Sequence, residues 1–142
     1  MTYSDRITPK GHIQLYKNGE LVRELDNLVV TIGKGLAAQL IGGLSITAFT
    51  YIQIGTGTTA ATIANTTLET YNAEGSVTPT EAGGVLTLDK TFTFAGTVAV
   101  TEGGVFNGAQ ADAPDMLCRQ VWTAITFYAN DKLRAVWAVT VA

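Results

Sequence analysis

The side chains in this chain that could do chemistry are few. His12 is the only histidine. It opens a strand-like run with no serine or cysteine beside it in a recognisable motif, so triad chemistry has no support and a surface or half-buried side chain is expected. Cys118 is the only cysteine. It follows Met116-Leu117 and precedes Arg119, and one neighbouring arginine is thin support for an activated thiolate; a small buried hydrophobe is expected. Asp112 and Asp115, with Glu102 upstream, carry oxygen ligands of the type Ca²⁺ takes. They lack the one-in-two spacing and closing glutamate of a calcium loop, so they read as solvated carboxylates. Paired carboxylates for glycoside hydrolysis are assembled in space, and nothing here points to them. Gly33-Lys34-Gly35 and Gly55-Thr56-Gly57 share glycine with phosphate loops, but neither has the Walker spacing and the second opens no helical pattern. Both read as turns. The expectation is therefore no catalytic residue, no cofactor and no metal: not an enzyme.

The elements that position these residues are mostly strands. Ile13 to Lys17 alternates at first, Asn18-Gly19 is a strong two-residue turn signal, and Leu21 to Leu25 follows, which predicts a hairpin. Asn27 to Ile32 is a short β-branched run. The one convincing helix spans Lys34 to Ile41, with Leu36, Leu40 and Ile41 at helical spacing and Gly42-Gly43 ending it. Thr50 to Ile54 reads as a strand, and the small-residue stretch after it as a loop. Leu68 to Val77 contains a strand and Glu81 to Gly84 a turn. Leu86, Leu88, Phe92 and Phe94 share one face at period 2, with Lys90 alone out of place; Val98 and Val100 repeat the alternation and Gly103-Gly104 breaks it. Gly108 to Asp115 is a loop, and Met116 to Trp122, with an extension toward Phe127, and Leu133 to Val141 close the chain as strands. Trp137 belongs to the core, and Trp122 is read as core rather than an exposed anchor. No internal repeat suggests a propeller or solenoid. About eight strands and one short helix predict a mostly β, antiparallel β-sandwich, jelly-roll-like, as a single domain over residues 1–142.

Composition narrows the function classes. The 142 residues are enough to bury a core without a disulfide or metal. They are 46% hydrophobic but only 15% charged, against roughly 25% charged in an ordinary soluble domain. So few charges predict burial against partners. The net charge of −3, with no two basic residues adjacent, argues against nucleic acid, which needs a concentrated positive face. Met1 to Arg6 is polar with no apolar stretch after it, so no signal peptide is expected. No charge occurs between Lys34 and Glu69, yet Gly42-Gly43, Ser45, Thr47 and Thr50 interrupt the run, so no membrane span is expected. A single thiol fits a reducing cytoplasm.

Asn27 to Gly33, the short helix, then Tyr51 to Ala60 resemble a pattern found in small structural proteins of tailed bacteriophages. Thr101 to Asn107, Met116 to Arg119, Ile125 and the closing strand around Trp137 extend the resemblance over roughly residues 27–142. It implies a non-enzymatic virion protein of the capsid cement, or decoration, type: one that binds the major capsid protein and stabilises the shell against packed DNA. The implied location is the capsid exterior after assembly in the host cytoplasm, and the implied state a homo-oligomer, a dimer or trimer. A tail or baseplate component, receptor- or carbohydrate-binding, is the alternative within the same group. Residues 1–10 and the loop from Gly55 to Thr67 are the expected binding arms.

Overall fold

In the computed structural model, residues 9–44 and 46–141 are described. Their strands are β1 (Pro9–Lys17), β2 (Glu20–Val29), β3 (Tyr51–Gly55), β4 (Tyr71–Ser76), β5 (Thr80–Ala82), β6 (Val85–Thr93), β7 (Val98–Phe106), β8 (Met116–Phe127) and β9 (Lys132–Val141), with one α-helix, α1 (Thr31–Ile41). The chain is mostly β and antiparallel, as expected. Among the described residues the nine strands form one sheet in the order β4-β3-β7-β8-β2-β1-β9-β6-β5.

The sheet is curled, and its hydrogen bonding shows where it bends. β1 and β9 pair along their full lengths, and so do β6 and β9. β2 and β8 pair only at Leu28–Arg119 and Val29–Cys118. The two halves of the sheet are thus hinged on a two-residue ladder. Beyond it, side chains replace backbone pairing: Gln120 Nε2 donates to the Asp26 carbonyl at 2.8 Å and Lys17 Nζ to the Thr126 carbonyl at 2.7 Å. At the far side β4 touches β6, where the Lys90 stem lies across Gly75 and leaves no room there for a Cβ. This accounts for the one charge on the apolar face of β6: its methylenes cover the closing edge.

Between the halves lies the main core. Ile13, Leu15, Leu88, Leu133, Ala135 and Trp137 from one half meet Ile52, Ile54, Val100, Val105, Cys118 and Phe127 from the other. The turn chemistry matches its sequence: Asn18 and Gly19 both hold positive φ, 49° and 86°, as a type I′ turn demands. Trp122 is core, its indole nitrogen donating to the Val100 carbonyl at 3.1 Å.

Two local expectations fail for tertiary reasons. Gly103-Gly104 does not break a strand but lies inside β7. A Cβ on Gly103 would stand 2.9 Å from the Trp122 ring and 3.2 Å from that of Trp137, so glycine here admits two indoles rather than a turn. Asn27 to Ile32 is not a strand of its own. β2 ends at Val29, and α1 begins at Thr31 instead of Lys34 because Val30 N–H is fixed on the Leu117 carbonyl at 3.0 Å and Gly33 sits against the Leu117 backbone. Of the expected N-terminal arm, Pro9 and Lys10 belong to β1, and residues 1–8 lie outside the described residues.

Replacing Gly103 with Ala should overpack the indole pair and lower stability by about 1–3 kcal/mol. Chemical denaturation followed by Trp fluorescence measures it; an unchanged midpoint would show that the close approach is not needed.

Candidate functional site

The most organised polar assembly is on the outer face of the sheet, under the long connection between β3 and β4. It starts from a register shift in β7 between Val100 and Glu102. Before the shift Val100 points into the core; after it Val105 does, and Glu102 is turned to the opposite face. Bulges commonly re-aim a side chain in this way. Arg119, paired with Gly104 on the neighbouring β8, faces the same side.

Both are buried, Glu102 completely and Arg119 with only 2% of its side chain exposed. Glu102 Oε2 accepts from Arg119 Nη2 at 2.7 Å and Nε at 3.1 Å, and from the backbone N–H of Glu69 at 3.0 Å. Its Oε1 accepts from the N–H of Gly57 at 3.0 Å and of Thr70 at 2.7 Å. Arg119 spends its remaining donors on the Thr59 carbonyl at 3.1 Å and Asn65 Oδ1 at 3.0 Å. One carboxylate therefore ties both ends of the connection, and the guanidinium ties its middle. Gly57 leaves the space this needs: a Cβ there would stand 2.6 Å from Glu102 Oε1.

Further contacts complete the clamp. Thr101 Oγ1 donates to the Gly57 carbonyl at 2.6 Å. The Glu69 carboxylate accepts from Thr58 and Thr59 N–H at 3.3 and 3.2 Å; the Thr59 side chain first, and then these two backbone bonds, hold it below the usual carboxylate range. Leu68 inserts into a small second core with Val30, Phe106 and Met116. The loop from Gly55 to Thr67, expected as a binding arm, is folded onto its own sheet.

What the clamp displays is a face with a single charge. Lys34 is the only charged residue from Thr31 to Leu68. Thr31 N–H donates to the Ile63 carbonyl at 2.8 Å, so the start of α1 and the loop adjoin. The helix buries Gly33 and half-buries Leu36 and Leu40, leaving Ile32, Ala38, Gln39 and Ile41 exposed. Ile41, Leu44 and Ile63 are among the most exposed large apolar side chains, at 66%, 58% and 57%.

The sequence-derived candidates do not converge. Glu102 is committed to the clamp. Asp112 and Asp115 line a separate open cleft with Thr50, Tyr51 and Asn107, and among the described residues no three metal-ligating side chains come together. Cys118 is fully buried; burial pushes its thiol up to about 12, against smaller lowering effects from the Val105 backbone, Asn27 and Trp137. Lys34 is exposed at the start of α1, where no phosphate-loop geometry surrounds it.

His12 lies on the outer face of the β1–β2 hairpin between two carboxylates, Nδ1 at 2.9 Å from Asp26 Oδ1 and Nε2 at 2.9 Å from Glu24 Oε1. Only the imidazolium donates on both sides, so the bonds to Asp26 and then Glu24 raise its pKa above 6.5. With both nitrogens engaged it is a cross-strand tie, not a poised base.

Compared with protein-family models, with curated proteins and with solved structures, the chain matches none.

Removing either partner of the clamp, by Glu102→Ala or Arg119→Ala, should cost about 3–5 kcal/mol, because the other charge is left buried and unpaired. Hydrogen exchange should speed up across residues 56–70 well before it does in β1 and β9. Equal acceleration everywhere would show that the loop is not separately held by this pair. The His12 tie should be fully formed below pH 6.5 and lost as pH rises through the raised value. An NMR titration of the ring with a midpoint at or below 6.5 would contradict the double donation.

Proposed function

We propose that this chain is a non-enzymatic structural protein of a tailed-phage virion, a capsid cement protein that binds and stabilises the major capsid protein shell. The observation that carries the reading is the face made by α1 and the 56–67 loop, which bears Lys34 as its one charge and is backed by a buried ion pair. A surface that serves only as a solvated connection has no need of such backing, and large apolar side chains grouped on an uncharged face mark contact sites. Binding by a pre-ordered surface avoids the cost of ordering a loop at the moment of contact.

The sequence resemblance supports the same reading from another side. The segments that carry it, Asn27 to Gly33, Tyr51 to Ala60, Thr101 to Asn107 and Met116 to Arg119, are distant in the chain. In the fold they meet: they supply Gly33 on Leu117, Gly57 on Glu102, and the Glu102–Arg119 pair itself. The two halves of the sheet, facing each other across one core, fit a jelly-roll-like sandwich opened at one hinge.

A tail or baseplate role has one observation in its favour. Tyr51, Asn107, Asp112 and Asp115 line an open cleft, the mixture of an aromatic ring and polar groups that a sugar site uses.

Cosedimentation with phage heads, and separately with tails, distinguishes the two. The cement reading predicts stoichiometric, many-copy binding to heads, abolished by Ala38→Glu on the exposed side of α1 in a variant that keeps its circular dichroism. Binding to tails alone, or to neither, would refute it.

A further inference from the structure

We infer that Asn27, Cys118 and Trp137 together hold one buried water molecule in the core, beside the two-residue ladder that joins β2 to β8. Trp137 is completely buried, and the nitrogen and oxygen of the Asn27 carboxamide are shielded from solvent. Among the described residues neither of those two atoms has a hydrogen-bond partner, and neither has the Trp137 indole nitrogen. The other tryptophan differs: Trp122 donates to the Val100 carbonyl at 3.1 Å. A polar group that gives up its hydration and gains no bond in exchange is destabilising, so buried groups in native cores are met by protein or by ordered water.

The three side chains come from three strands and converge. Asn27 stands between Leu25 and Val29 on the inward face of β2. It is opposite Gly11, and Val29 is opposite Cys118. Gly11 brings no side chain to this face, and a Cβ there would overlap the Asn27 carboxamide. Trp137 is opposite Ile13, the next inward residue of β1. Burial is the main influence on the Cys118 thiol and raises its pKa, while Asn27 and Trp137 act the other way, which puts both side chains beside the sulfur. The thiol cannot satisfy them, because sulfur is a weak acceptor and S–H a weak donor. Water can. Its oxygen accepts from the indole N–H, the carboxamide offers both a donor and an acceptor, and the thiol is the third neighbour, which makes the usual set of partners for a buried water. The bound molecule ties β2, β8 and β9 where the backbone pairing between the two halves of the sheet is shortest. The site lies within the core and is independent of what the outer face binds.

Water-selective NOE and ROE spectra of the full chain read the site at the Trp137 indole proton, with that of Trp122 as the internal control. A cross-peak from a long-lived water is expected at Trp137 and not at Trp122. Asn27→Leu, close in size but apolar, should abolish it, with circular dichroism and the Trp122 indole signal showing that the variant is folded. Cys118→Ala should keep it, which separates bound water from exchange through the thiol proton. No cross-peak at Trp137, a peak that survives Asn27→Leu, or one lost in Cys118→Ala would overturn the inference. A crystal structure of the native chain gives a reading that does not depend on any variant folding. Density for a water within hydrogen-bonding distance of Trp137 Nε1 and the Asn27 carboxamide is expected, and a direct bond from that indole to a protein acceptor would overturn the site.

Discussion

Glu102 carries a charge in a place that water does not reach, and most of the molecule's outer architecture follows from how that charge is kept. A carboxylate removed from solvent is costly unless its lone pairs are filled by good donors. Here five N–H groups fill them, two from Arg119 and three from the backbone at Gly57, Glu69 and Thr70. The shift in β7 that turns Glu102 outward, the missing side chain at Gly57 and the placement of Arg119 on the adjacent strand all serve that arrangement. A buried ion pair is not in itself a strong source of stability. Its effect here is specificity: it selects one path for a connection of Thr, Ala and Asn that has few apolar side chains of its own to choose one.

The consequence reaches the surface. A long connection built from small uncharged residues would ordinarily be a mobile region, with few buried contacts and exposed backbone hydrogen bonds. Clamped at both ends and in the middle, it lies beside the start of α1, and Lys34 is the one charge the two segments carry. Most charged side chains lie elsewhere, among them the cross-strand ties of His12 with Glu24 and Asp26 and of Arg134 with Asp89. One side of the molecule thus carries the charged ties, and another is nearly free of charge. That division, rather than any pocket, is what the proposed role draws on.

Much of the β architecture was legible in local pattern. The Asn18-Gly19 hairpin, the period-2 face of β6 and the closing strand around Trp137 follow from turn chemistry and alternation, which are properties of neighbouring residues. What local pattern misread were residues shaped by distant partners. Gly103-Gly104 has the composition of a turn, but its glycines answer to two indoles from β8 and β9. Ile32 has the preference of a strand, but Gly33 against Leu117 starts a helix there. The clamp was the least legible feature. In the sequence Glu102 reads as a solvated carboxylate upstream of Asp112 and Asp115, and Arg119 as a neighbour of Cys118. The signal that could have found them is a lone acid and a lone base of opposite sign, each inside a strand otherwise made of apolar and small residues. Such charges need partners, and the strands that carry them are adjacent.

The central claim is that the clamped face of α1 and the 56–67 loop, with Lys34 its one charge, is the surface through which this protein binds. Hydrogen exchange measured on the free protein and on the protein bound to phage heads tests it most directly. The account predicts slower exchange on binding in residues 31–41 and 56–68, with the outer faces of β6 and β9 unchanged. Protection confined to the Tyr51–Asp112–Asp115 cleft or to the β5 edge, with α1 and the loop exchanging as they do in the free protein, would contradict it.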